Sequence, residues 1–298
     1  MRIGFSVLLA VFLLSICACA AGSSADHMWL GDSNAKQSNW DTAIAEYQKA
    51  IDLKADMPEA NKKLATAYNN RALTRIDKKD FTGAIDDLNK AIQLDPKLAE
   101  AYNNRGWAYD GTGDYDKSIE DLNMALQLGF NSSTAYKNLA KAYNNQGRTL
   151  ILDQSYDAAI VSLNRAVELD PTLADAYSNR GWALDKMRDW NQALTDLNRA
   201  LAIDSKLAFA YNNRGWALYE MDKYDAALAD LNKAIELDPK MPEAYMNRGI
   251  LYILSKTNDL AIADFKKVLE LTQDPVIIKQ AKKNISIASA GDEYILER

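Results

Sequence analysis

The 298-residue sequence carries 41 acidic against 35 basic side chains, for a formal net charge of −6, and is 48% apolar. The apolar share is that of an ordinary folded chain. The acidic balance excludes nucleic acid as a partner, because its binders need a basic stripe, and favours neutral or basic partners. One histidine, His27, and two cysteines, Cys17 and Cys19, leave neither histidine-based catalysis nor a His or Cys metal site within reach, so no cofactor and no metal are expected.

Residues 1–20 read as a signal peptide. Arg2 supplies the charged start, Ile3 to Ile16 form an apolar stretch too short for a membrane span, and Ala18-Cys19-Ala20 fits a small-x-small cleavage site before Ala21. The segment also resembles a bacterial lipoprotein signal, in which the chain is cut before a cysteine that carries the lipid. Cys19, preceded by Ile16-Cys17-Ala18, fits that pattern at its last position and loosely at its first. Cys17, preceded by Leu14-Ser15-Ile16, fits the first two positions and fails the third. Plain cleavage and lipid attachment at Cys19 both remain open, and both place the protein outside the cytoplasm: periplasm or outer membrane in a bacterium, secreted otherwise. A lipid at Cys19 would be the sole membrane attachment.

The rest of the chain repeats itself. Ala208 to Met241, AFAYNNRGWALYEMDKYDAALADLNKAIELDPKM, slides back by 34 onto Ala174 to Leu207, and further back onto Ala99 to Ser132. That period marks stacked helix-turn-helix units. Numbering each unit from 1 to 34, small residues recur at position 8 (Gly106, Gly181, Gly215, Gly249), at position 20 (Ala84, Ala159, Ala193, Ala227) and at position 27 (Ala91, Ala125, Ala166, Ala200). Helices that approach to about 8–10 Å need small side chains at the contact. Asp-Pro at 95–96, 170–171 and 238–239 ends second helices, since the residue before proline avoids the helical region.

With these columns in view the chain resembles the tetratricopeptide repeat family over residues 24–274. The resemblance implies an all-α, right-handed α-solenoid of about seven units, near 24–57, 58–98, 99–132, 133–173, 174–207, 208–241 and 242–274. It implies protein–protein interaction through a concave groove rather than catalysis. Two units run seven residues over, at ANKKLATAYNNRALTRIDKKDF and AYKNLAKAYNNQGRTLILDQSY. Neither excess holds a proline or glycine cluster, so first helices lengthened by two turns, about 10 Å, are expected. Which end of each long helix protrudes is open. Asp274-Pro275 then opens a capping helix over 275–290, and 291–298 is a tail.

Position 7, usually leucine in the family, is arginine in five units, and position 23 is aspartate in the same five: Arg71 with Asp87, Arg105 with Asp121, Arg180 with Asp196, Arg214 with Asp230, and Arg248 with Asp264. The fourth unit has Gln146 and Ser162 and so loses both together. Structural bridges between the two helices of a unit are expected. In the family, positions 2, 5, 6, 9, 12 and 13 of the first helix face the groove. Position 6 is Asn70, Asn104, Asn145, Asn179, Asn213 and Asn247. An amide offers donors and an acceptor that can grip an extended peptide backbone, and some relatives use an asparagine ladder in this way. Position 9 carries Trp107, Trp182 and Trp216, expected at the partner contact; packing between first helices is the alternative. Glu100, Asp110, Asp175, Asp185, Glu220 and Glu243 outweigh Lys141, Arg148 and Lys186 along this face. That disfavours the family's carboxylate clamp and suits a basic or neutral segment. The resemblance extends to exported bacterial lipoproteins with such repeats, which act as envelope scaffolds. A self-associating structural protein of the envelope is the rival reading, and the oligomeric state is open.

Overall fold

The computed structural model describes residues 22–54 and 56–290. The expected leader, with Cys19, and the tail 291–298 lie outside the described residues. The described residues form an all-α architecture of 15 helices. They fall into two compact units, Met1–Leu139 and Ala140–Arg298.

The first unit holds α1 (Ser24–Lys36), α2 (Trp40–Leu53), α3 (Pro58–Asp77), α4 (Phe81–Leu94), α5 (Ala99–Thr112) and α6 (Tyr115–Gln127). The second holds α8 (Tyr156–Leu169), α9 (Ala174–Lys186), α10 (Trp190–Ile203), α11 (Ala208–Glu220), α12 (Tyr224–Leu237), α13 (Pro242–Leu254), α14 (Asn258–Leu271) and α15 (Pro275–Ala290). The division falls inside α7 (Ser133–Leu152).

Consecutive helices pair as antiparallel hairpins. In α3 and α4, Arg75 reaches Gly83, Arg71 reaches Asp87, and Lys90 lies over Tyr68. The turns within hairpins use one left-handed residue each: Ser38, Lys79, Gln154, Arg188, Asp222 and Lys256 at φ between 57° and 63°, and Gly113 at 84°. A single residue there reverses the chain in three steps, at a cost of about 1–2 kcal/mol for a side chain in that region. Second helices end where expected, with Asp95, Asp170 and Asp238 as extended C-caps. At α15, Asp274 Oδ1 accepts from the backbone N–H of Val276 at 2.8 Å.

The two kinds of helix bury different faces. The second helix α4 buries Ala84, Asp87, Leu88 and Ala91, one stripe at helical spacing. The first helix α5 buries Ala99, Ala101, Asn103, Asn104, Gly106 and Ala108, which spread over several faces. It is enclosed because it packs on its own partner α6, on the preceding α4, and on α3. Position 8 is where the hairpin closes. A Cβ on Gly106 would lie 2.7 Å from Leu122 Cγ and 3.0 Å from the Ser118 carbonyl oxygen. Gly181 meets Leu197 and Gly215 meets Leu231 in the same way, at 2.7 and 2.9 Å.

The seven-residue excesses lie inside helices: α3 and α7 run 20 residues each, against 13 in α9, α11 and α13. Neither end of α3 overhangs. Its first turns bury Ala60 and Leu64, with Leu64 packed against Ala43, Ile44 and Tyr47 of α2. Its last turns place Ala72 and Ile76 against Ala84 and Leu88 of α4. Helix α3 therefore packs on the hairpin before it through its early turns and on its own partner through its late turns.

Gly106→Ala should destabilise the chain by about 1–3 kcal/mol, because the carbonyl of Ser118 cannot move aside and the gain of about 1 kcal/mol in helix propensity does not offset the overlap. A lowered urea midpoint by circular dichroism would show it; an unchanged or raised midpoint would mean that the hairpin has room to spare.

Candidate partner-binding face

The arginine column ties three helices together. Arg105 donates from Nε and Nη2 to the two carboxylate oxygens of Asp121, at 2.6 and 2.7 Å, and from Nη1 to Asn89 Oδ1 of the preceding hairpin at 2.7 Å. Its guanidinium also lies over the Tyr102 ring at 5.5 Å. Arg180, Arg214 and Arg248 repeat this with Asp196 and Asn164, Asp230 and Asn198, and Asp264 and Asn232. Arg71 grips Asp87 the same way and takes Asp41 as its outer partner at 2.6 Å. In the fourth hairpin, Ser162 Oγ donates to Gln146 Oε1 at 2.8 Å, a neutral pair in the same place. The aspartates are buried while the arginines keep a fifth or so of their side chains in water. Paired forks of this kind are strong as well as directional. The aspartate partner raises each arginine's already high pKa further, against the effect of burial.

The asparagines engage one another before anything else. In the first unit Asn138 Nδ2 donates to Asn103, Asn103 to Asn104, Asn104 to Asn69 and Asn69 to Asn70, at 3.3, 3.2, 2.8 and 3.4 Å. In the second unit one run goes from Asn179 to Asn144 to Asn145 and another from Asn247 to Asn212 to Asn213. Asn104, Asn179 and Asn213 are buried, and Asn70, Asn145 and Asn247 are half-buried. Four members of these chains stand one residue before the expected column: Asn69, Asn103, Asn144 and Asn212. The second unit's chain is broken once. Where an asparagine would accept from Asn213, the chain has Ser178; Asn213 Nδ2 and Ser178 Oγ are both buried and lack partners.

The tryptophans differ. Trp107 on α5 is 43% exposed. Trp182 and Trp216 are half-buried and line clefts confined to the second unit. One cleft, about 470 Å³, lies over Asn144, Asn145 and Asn179 between Arg148, Asp175 and Trp182. The other, about 580 Å³, is walled by Trp182, Phe209, Trp216, Met246 and Ile277, with Asn213 and Asp185 among its polar groups. The two share Leu152, Trp182 and Phe209. The Trp182 and Phe209 rings meet edge to face at 5.4 Å. Leu152 and Val276, at the rim, are 66% and 74% exposed.

Asp185 is buried in the second cleft, with Oδ1 unpaired and Lys186 3.7 Å from Oδ2. Burial pushes its carboxyl up to about 6; Lys186 pulls it back and Glu220 adds to the rise. Among the described residues, no cluster of His, Cys, Asp and Glu is arranged to hold a metal, and no helix is long and apolar enough to cross a membrane.

Between its unfolded value near 3.8 and its folded value of about 6, Asp185 binds more protons folded than unfolded. Its contribution therefore destabilises the fold progressively as pH rises through that window. Asp185→Asn should be more stable than wild type at pH 7.5, by up to about 3 kcal/mol, with the difference closing towards pH 4. Urea unfolding of both proteins at the two pH values checks this; a difference independent of pH would mean that the carboxyl stays solvated.

Tetratricopeptide repeat models match residues 99–129, 174–207, 208–241 and 242–275, and a TPR repeat model matches 72–113 and 148–187, together more than half of the chain. No curated protein matches the sequence. Among solved structures, the chain is similar to pilF of Pseudomonas aeruginosa, with 17% identity, coverage of 76% of this chain and 99% of that one, and a TM-score of 0.57. It is similar to the APC/C hetero-tetramer Cut9–Hcn1, with 16% identity, 87% of this chain covered and a TM-score of 0.55, and spans 54% of that chain's length. A tetratricopeptide repeat protein from Parabacteroides merdae shares 16% identity over 88% of this chain and 98% of its own, with a TM-score of 0.49. At these identities the likeness to the first two concerns the fold alone. The repeat columns, the hairpins they close and the matched models agree that the chain belongs to the tetratricopeptide repeat family.

Proposed function

We propose that the protein is a non-catalytic adaptor that holds an extended segment of a partner protein against its first helices, and that it works outside the cytoplasm, anchored by a lipid on Cys19. The observation that supports the first part is the pair of adjoining clefts in the second unit. They form an open, aromatic-walled trough whose polar lining combines amides with the charged Arg148, Asp175, Asp185, Lys186 and Glu243. A trough with aromatic walls beside a row of amides suits a chain laid lengthwise, with side chains seated in the walls and backbone atoms over the amides. Asn70, Asn145, Asn247 and the exposed ring of Trp107 offer partner contacts on the same kind of helix. Asn104 and Asn179 chiefly hold neighbouring helices in register, whereas Asn213 keeps its Nδ2 unpaired, and any grip on a partner uses the amide atoms left over.

The tryptophans of the trough carry the contact area, as aromatic anchors do at protein interfaces. Crosslinking and pull-down from the native envelope should recover a partner with the wild-type chain and at least ten-fold less with the Trp182→Ala/Trp216→Ala double variant, at unchanged helical content by circular dichroism. Equal recovery with both would rule the trough out as the binding site. The export reading is supported by the leader's charged start, apolar stretch and cysteine. Labelled palmitate fed to a bacterial host should enter the wild-type protein and not Cys19→Ser; label retained by the variant, or taken up by neither, counts against lipid attachment at that residue.

A further inference from the structure

The second cleft holds two buried polar atoms with nothing to bond, the acceptor Asp185 Oδ1 and the donor Asn213 Nδ2. Both residues are about 94% buried, Asp185 with 6% and Asn213 with 6% of the surface left. Buried polar groups are nearly always satisfied by protein or water, so an unpaired acceptor and an unpaired donor lining one cleft are free to bond a molecule that enters it. The orphaned donor has a specific origin. At other rungs an asparagine on the preceding helix accepts, as Asn69 does from Asn104 and Asn144 from Asn179. At this rung Ser178 stands there, and its side chain is too short to reach. The break in the amide chain and the aromatic walls thus fall in the same place.

The charge in the cleft is set by Asp185, Glu243 and Lys186, one negative charge in excess, and Glu220 adds to the negative field at Asp185. A cation brought to Oδ1 is favoured and an anion repelled, and in a desolvated setting that discrimination is strong. The walls of Trp182, Phe209 and Trp216 take a large flat side chain.

We propose that this cleft recognises an extended peptide presenting a lysine or arginine beside a large apolar side chain. The apolar side chain seats among Trp182, Phe209 and Trp216, the cation pairs with Asp185 Oδ1, and a backbone carbonyl of the peptide accepts from Asn213 Nδ2. This rests on the reading of the trough as a peptide-binding site and adds which peptides it takes.

The test uses the full chain and fluorescein-labelled decapeptides with capped ends, in a Gly-Ser background with a central Phe-Lys, Lys-Phe, Phe-Gly or Phe-Glu pair, read by fluorescence anisotropy. One of the two lysine peptides should bind at least ten-fold more tightly than the Phe-Glu peptide, with Phe-Gly between. Asp185→Asn should remove the lysine preference while leaving Phe-Gly binding within two-fold. Ser178→Asn, which supplies the missing acceptor and closes the amide chain, should weaken all the bound peptides several-fold without lowering stability. Binding of Phe-Gly with no preference for lysine overturns the proposal and leaves the trough reading standing. No binding by any peptide also overturns it; the trough reading itself fails only if the tryptophan variant recovers partner as well as wild type. A preference for lysine that survives Asp185→Asn places the cation elsewhere and overturns the proposal too.

Discussion

In five of the seven hairpins a glycine on the first helix lies against a leucine or phenylalanine on the second, so close that a single added carbon would overlap it; the first hairpin sets Gly31 against Tyr47 and the second carries the small Ala72 at this place. Everything else across the hairpin depends on that separation. At that separation the guanidinium one residue before the small residue reaches both oxygens of the aspartate opposite, sixteen residues on, as Arg71 does beside Ala72 and Arg105 beside Gly106. The same arginine then reaches back to the preceding hairpin through an asparagine, so one side chain fixes a hairpin internally and to its neighbour. Leucine at this position, the family's usual residue, would fill space without setting direction. The fork sets both, because its donors have a fixed geometry.

Much of this could be read from the chain itself. The glycine column, the Asp-Pro stops and the paired appearance of arginine and aspartate each carry a plain physical meaning at their spacing. The pairing of Gln146 with Ser162 could be read as well, since two residues changing together across sixteen positions speak of one contact. What could not be read was the use of the amides. The asparagine doublets at 69–70, 103–104, 144–145 and 212–213 were visible, but a residue that faces a neighbouring helix and one that faces a groove look alike when adjacent positions differ by only a third of a turn. Likewise Asn89, Asn198 and Asn232 follow an Asp-Leu pair in sequence, and Asn164 follows Ser162-Leu163. Their role as outer partners of the next arginine depends on the stacking of hairpins, which a single repeat does not contain. Phe209 did leave a signal: it is an aromatic residue where Glu100, Asp175 and Glu243 stand in other units.

The amide chains and the trough draw on the same atoms. A fully bonded chain of asparagines is a rigid spacer between first helices, and each link satisfied is one fewer free to meet a ligand. In the first unit, the chain from Asn138 to Asn70 runs without interruption. In the second, Ser178 interrupts it beside the cleft walled by Trp182, Phe209 and Trp216. Stiffness and vacancy of the bonding capacity are thus allotted to different rungs of a nearly uniform array, by one substitution per rung.

The double role of α3 also has a mechanical consequence. Because its early turns serve α2 and its late turns serve α4, the two sets of contacts lie along about 30 Å of one continuous rod. Unwinding its middle would therefore loosen both hairpins at once.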